Sequence, residues 1–235
     1  MNINPSEIHP IQGHILRDLL YHPERKFSEL NHKNIPSDQL SFHLRRLGEL
    51  NLIRKTEGGY ELTASGKEFA NRFDTEDKKM ILERQAKIGV LVSCTKQENG
   101  KNLYLFQQRL KQPSYGHYGF ITGKVKWGES VFETASRELS EETGLEAKLS
   151  LAGIEHKIDY SETGELLEDK YFFVFRGDDP QGKLIENFEG GRNLWLDKDK
   201  ALKLPDLFGD VPAVLDACES KTFRFWEQKF TVEKY

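Results

Sequence analysis

The stretch GKVKWGESVFETASRELSEETGL, Gly123 to Leu145, places Glu138, Glu141 and Glu142 within five residues of one another. Ser130 followed by Glu133 is a capping-box pair, which starts a helix near Ser130. Gly144 is suited to stop that helix. At about 100° per residue, Val131, Phe132, Ala135 and Leu139 fall on one arc and are expected to pack inward. The three glutamates fall on the neighbouring arc, beside the buried face. Like charges at this spacing repel by roughly a few tenths of a kcal/mol per pair, and partial burial adds to that cost. A cation would offset both. Hard oxygen donors of this kind select Mg2+ or Mn2+, which also draw substrate phosphates into their coordination sphere. On composition alone, SRELSEETG also reads as an acidic, solvated helix face.

Away from this segment, the 235-residue chain changes its periodicity near residue 75. The polar run FDTEDKKMI, residues 73–81, reads as a linker, so two domains are expected, 1–76 and 77–235. Before it the pattern is helical. IQGHILRDLLY carries Ile11, Ile15 and Leu19 at four-residue steps, and KFSELNHKN offers a short second helix. PSDQLSFHLRRLGELNLI has Ser37 as a cap candidate and a stripe of Leu40, Leu44 and Leu47. LIRKTEGGYELT reads as strand, Gly58-Gly59 turn, strand, and ASGKEFANRF closes the unit as a helix. After the linker, AKIGVLVSCT, NLYLFQQRL, DKYFFVFRG and RNLWLDKD read as strands, DVPAVLDACES as a late helix and TFRFWEQKFTVEKY as a terminal strand or hairpin.

Composition narrows the function classes. The formal net charge is −4 and charged residues make up 31% of the chain, so the molecule is no polycation built for nucleic acid or membrane. The two cysteines, Cys94 and Cys218, lack metal-ligand spacing and fit a reducing cytosol. No signal-peptide pattern opens the sequence, and no run nears the roughly 18 apolar residues of a membrane span. A cytoplasmic protein is the expectation.

Gly123, Glu129, Arg137, Glu138, Glu141, Glu142 and Gly144, with Leu139 and Leu145 at the aliphatic positions, match the Nudix box without a gap. Seven fixed positions at roughly 7% each put a chance match at about 10⁻⁸ per starting position. The region from about 80 to 235 therefore resembles a Nudix hydrolase. The resemblance implies an α/β/α sandwich with a mixed sheet and cleavage of a nucleoside diphosphate linked to another group. By position it implies that Glu138, Glu141 and Glu142 ligate Mg2+ (or Mn2+), or that one of them serves as general base instead. It also implies a carbonyl ligand from Gly123, an orienting role for Arg137 and support from Glu129 in the preceding loop. Later-loop bases in this family make Glu165, Glu168 and Glu189 further candidates. The family's frequent Pro-Gly-Gly before the box is here Ile121-Thr122-Gly123, a change in the loop that leaves the metal ligands in place. Upstream, Tyr115, His117, Tyr118 and Phe120 are either core or base-stacking residues. Tyr118, Phe120 and Lys124 are taken as substrate contacts.

The helix order and the phrase LSFHLRRLGELNLIRKTEGGYELTASG make residues 8–74 resemble the winged helix-turn-helix of bacterial and archaeal regulators. The fold class expected is thus a mainly-α winged helix-turn-helix followed by the Nudix sandwich. In such folds the third helix enters the major groove and the wing meets the backbone. Ser41, His43, Arg45, Arg46, Arg54 and Lys55 would then face double-stranded DNA. Residues 1–74 hold ten Lys and Arg against ten Asp and Glu, so phosphate attraction depends on clustering. Three readings stay open: a hydrolase of an ADP-ribose-like substrate, a regulator whose Nudix domain senses a nucleotide, and a scaffold whose winged helix docks a protein. Both kinds of module often pair with a second copy, so a homodimer is a further expectation.

Overall fold

The structure is a computed structural model that describes residues 8–31, 35–71, 85–220 and 222–232. The chain divides into two compact units, Met1–Arg84 and Gln85–Tyr235. The charged run expected as a linker, residues 73–81, lies outside the described residues.

The first unit runs α1 (Pro10–Tyr21), α2 (Phe27–Leu30), α3 (Ser37–Glu49), β1 (Ile53–Lys55), β2 (Tyr60–Leu62) and α4 (Ala64–Ala70). Helix α1 starts on a reciprocal cap between His9 and Gln12, with Pro10 at a first-turn position where its missing N–H costs nothing. Thr63 caps α4 by accepting from the Gly66 amide. In α3, Pro36 is the capping position and Ser37 the first helical residue, one step from the expected cap. Strands β1 and β2 form an antiparallel hairpin, and Arg25 adds an antiparallel bridge to Tyr60. Ile15, Leu16, Leu19, Leu40, Leu44, Leu47, Leu52 and Phe69 form the core.

His43 departs from expectation. It is 4% exposed and stacks on His9 with ring centroids 4.5 Å apart. The reason is its phase: it sits three residues after Leu40 and four before Leu47, inside the leucine stripe. It packs the unit and presents no surface to a groove.

The second unit contains β3 (Lys87–Glu98), β4 (Lys101–Arg109), β5 (Tyr118–Gly119), β6 (Ile121–Lys124), α5 (Val131–Thr143), β7 (Leu145–Ser161) and β8 (Leu166–Gly182). These are followed by β9 (Asn187–Phe188), β10 (Gly191–Leu196), α6 (Lys198–Ala201), α7 (Val211–Glu219) and β11 (Arg224–Val232). The strands join one mixed sheet in the order β11-β7-β8-β3-β4-β10-β9, with β5 on β4 and β6 on β3. The β3–β8 and β11–β7 pairs are parallel. Helix α5 covers one face, over Val90, Val92, Leu105, Ile121 and Phe175. Helix α7 covers the other, over Leu91, Phe106 and Val174.

Strand β3 divides one edge between two partners. Gly89–Val92 pair with β6, and Thr95–Glu98 pair with β4. The sheet forks there, and the chain leaving β6 runs straight into the loop and helix quoted above.

Two residues change role. Phe120 is 5% exposed and packs on Phe106, so it is core and no substrate contact. Phe132, expected to pack inward, is half exposed, with its ring edge on Phe175.

Candidate active site

Helix α5 begins where the sequence signals it. Ser130 Oγ accepts from the Glu133 amide while the Glu133 carboxylate accepts from the Ser130 amide. It ends at Gly144, whose φ of 69° is the left-handed conformation that glycine adopts without a Cβ clash. This fixes which side chains turn toward the β6 end of the fork.

Arg137 organises that side. Its Nε donates to Glu129 Oε1 at 2.7 Å and a terminal nitrogen donates to Glu129 Oε2 at 2.9 Å. This is a two-bond fork onto one carboxylate. Its other terminal nitrogen donates to Glu138 at 2.7 Å and Glu141 at 3.3 Å. The guanidinium bonds hold the Glu129 carboxyl down at about 2, aided by the Thr134 hydroxyl. The same carboxylates raise Arg137 above its already high value, Glu129 contributing most. Gly123 is required at its position because a Cβ there would lie 2.0 Å from Glu138 Cγ. Glu138 thus lies directly against the β6 backbone.

Glu142 points elsewhere. Burial pushes its carboxyl up, while a hydrogen bond from Gln107 and the charges of Lys111 and Arg109 pull it back. Gln107 Nε2 lies 3.0 Å from one Glu142 oxygen, and Lys111 Nζ lies 3.8 Å from the other. Arg109 also feels the charge of Glu168, which is paired with Lys87. Gln107, Arg109, Lys111 and Asn193 surround Glu142, and sequence reading did not single them out. QQR at the end of a strand carries no short-range signature of this use.

The family model for the NUDIX domain matches residues 84–216, more than half of the chain. This chain belongs to the Nudix family. It is a Nudix pyrophosphohydrolase, an enzyme of phosphoric anhydrides. The mutator MutT protein of Bacillus halodurans is 25% identical, with a TM-score of 0.52 over 62% of this chain and 90% of that one. The NUDIX domain of Shewanella oneidensis NrtR, solved with ADP ribose, is 15% identical, with a TM-score of 0.51 over 66% and 96%. At that identity the second comparison speaks to the fold.

Among the described residues of this Nudix chain, no three His, Cys, Asp or Glu side chains close on one point as a ready-made metal cage. Arg137 instead holds Glu129, Glu138 and Glu141 on its own guanidinium. The donor set still fits a hard divalent cation in kind. Glu138 and Glu142 are both largely buried and repel one another enough that Glu138 contributes to raising Glu142. A cation relieves such crowding.

The remaining candidates are dispersed. Lys124 is exposed, and its carbonyl accepts a 3.4 Å bond from Arg137. Tyr118 is half-buried, with main-chain bonds to Asp206 and Phe208. His117 lies against the Phe208 ring, and Tyr115 is exposed. Glu165 sits in the β7–β8 turn and Glu189 in the β9–β10 turn, both exposed.

Proposed function

We propose that the second unit hydrolyses the pyrophosphate of a nucleoside diphosphate joined to a second group, with Mg2+ or Mn2+ held by Glu138, Glu142 and the Gly123 carbonyl and with Glu141 as general base in place of a ligand. The observation that carries this reading is the gathering of Glu129, Glu138 and Glu141 on one guanidinium beside Gly123, with the buried Glu142 on the same helix. A divalent cation, when bound, neutralises phosphate charge and lowers the pKa of bound water. Glu141 is 59% exposed and the most loosely held of the three at 3.3 Å. It is the carboxylate free to take the proton of the attacking water. Arg137 and Glu129 keep the other carboxylates aligned, and Arg109 and Lys111 bring positive charge for the substrate phosphates. Water adds to one phosphorus, the bridging P–O bond breaks, and the leaving phosphate departs with the bridging oxygen. ADP-ribose is the first substrate to try, because a domain of the same fold has been solved with it.

The test is a Mg2+-dependent hydrolysis screen over ADP-ribose, other sugar nucleotides, dinucleoside polyphosphates and nucleoside triphosphates. The Glu142→Gln protein should lose at least ~10²-fold in turnover while keeping its fold. Turnover near that of the unmodified protein would remove Glu142 from the site.

For the first unit we propose a winged helix-turn-helix that contacts double-stranded DNA through Ser41, Arg45, Arg46, Arg54 and Lys55. Its support is the order of three helices, hairpin and helix, together with the exposure of these five residues. Gel shifts at graded salt check it. Alanine at Arg45 and Arg46 should weaken binding alike across sequences and reduce the salt slope by about 1 for each phosphate no longer neutralised. Repeating the shifts with ADP-ribose distinguishes a nucleotide-responsive regulator from an enzyme that merely sits on DNA. No shift at low salt would discard DNA as the partner.

A further inference from the structure

Gln107 and Asn193 are both buried, at 9% and 3% exposure. They sit directly opposite each other in the β4–β10 pairing, so both side chains emerge on the sheet face that carries Leu105 and Trp195 and packs under α5. Asn193 commits both amide hydrogens to carbonyls. Its Nδ2 donates to Glu142 O and to Ile185 O, each at 2.7 Å. Its Oδ1 is therefore the atom left to face Gln107, whose Nε2 donates to it at 3.2 Å. That orients the second amide as well: Gln107 turns its nitrogen inward, and the other hydrogen goes to Glu142 Oε2 at 3.0 Å. Asn193 also satisfies one of the carbonyls that the C-terminal turn of α5 leaves without an intrahelical partner. Glu142 is thus gripped twice, by Asn193 at its main chain and by Gln107 at one carboxylate oxygen. The other oxygen is left beside Lys111.

A terminal carboxylate torsion is broad on its own, so a buried donor dedicated to one oxygen selects its direction. We propose that Gln107, aligned by Asn193, is a positioning residue that holds the Glu142 carboxylate ready for the divalent cation. This rests on the reading of Glu142 as a metal ligand given above.

The test is Mn2+ binding by the full chain, followed through the free-ion paramagnetic resonance signal, together with steady-state kinetics. The variants are Gln107→Met, which keeps the side-chain length without the amide, Glu142→Gln, and the double variant. Gln107→Leu serves as the second probe should the methionine protein fail to fold. Gln107→Met is expected to weaken Mn2+ binding and lower kcat roughly 10- to 100-fold, with KM little changed. In the Glu142→Gln background the same replacement should cost nothing further, because the carboxylate it positions is gone. Wild-type binding by Gln107→Met, with Glu142→Gln impaired, overturns the positioning role alone. An equal loss from Gln107→Met in both backgrounds also overturns it, by making Gln107 merely structural. Unchanged Mn2+ binding in Glu142→Gln overturns the metal reading, and this proposal with it.

Discussion

Helices α3 and α5 are each thirteen residues long, each shows one apolar stripe, and each sets arginine close to glutamate. Their charges nevertheless live in different surroundings. In α5, Arg137 is 19% exposed and serves three carboxylates, one of them from the loop before the helix. In α3, Arg46 is 50% exposed and meets Glu49 at 3.2 Å, a neighbour on its own helix. Arg45 leans over the Phe42 ring. The same residue types form a fixed electrostatic assembly where strand β6 and the Glu129 loop partly desolvate them. Elsewhere they remain a hydrated face. Exposed pairs of the second kind contribute little to stability.

The largest break in this comparison would come from Arg137→Ala. It should lower turnover roughly 10- to 100-fold and lower the melting temperature, since three carboxylates lose their common partner. Arg137→Lys should recover only part, because an ammonium has no planar fork to match Glu129. If kinetics of Arg137→Ala stayed near wild type, the α5 cluster would be no more than the solvated pairs of α3.

A second test is acid sensitivity. The Glu129 carboxyl is held at about 2 against an ordinary 4.5. A depressed folded value means the Arg137–Glu129 pair contributes fully above 4.5 and is lost as the pH falls toward 2. Thermal melts between those limits should fall more steeply for the wild type than for Arg137→Ala. Parallel curves would show that the pair adds nothing to folding.

Glu155 sharpens the contrast in the opposite sense. Burial, with the negative charge of Asp210 beside it, pushes its carboxyl well above the usual carboxylate range. A raised folded value means the folded state holds a proton that the unfolded chain has already lost, so stability falls as pH rises above the ordinary carboxylate range. Glu155→Gln should flatten the dependence, and an unchanged slope of melting temperature against pH would exclude Glu155 as its source. The smallest effect belongs to α3. Arg45→Ala and Arg46→Ala should each move stability by no more than about 0.5 kcal/mol in denaturant melts. A loss of several times that would mean α3's charges are as embedded as those of α5.

Much of the fold was legible because its signals are short-range. The Ser130–Glu133 cap, the Gly144 stop, the Leu40, Leu44 and Leu47 stripe and the Gly58-Gly59 turn each involve residues a few positions apart. The apolar runs of β3 and β4 were equally plain. Strand β7 was not, although it spans seventeen residues. Its buried positions include Glu155, Lys157 and Asp159, so the expected apolar alternation is replaced by charge. Those charges are tolerated because distant segments supply their partners. Asp210 meets Lys157 at 2.8 Å, Lys170 meets Asp159 at 2.9 Å, and the Trp226 indole donates to Glu155 at 3.3 Å. Lys157 also lies over the Phe208 and Phe230 rings.

By itself, the sequence determined the Nudix box, the limits of its helix and the change of periodicity between the two halves. Each depends on hydrogen bonds or side-chain phase within a turn or two, which residue order already contains. Only the tertiary structure decided that Phe120 and His43 are core, that Arg137 gathers three carboxylates, and that Gln107 and Asn193, 86 residues apart, converge on Glu142. Burial and the direction of a hydrogen bond are properties of what the rest of the chain brings alongside. The fork in β3 is what brings β4 and β10 under the end of α5.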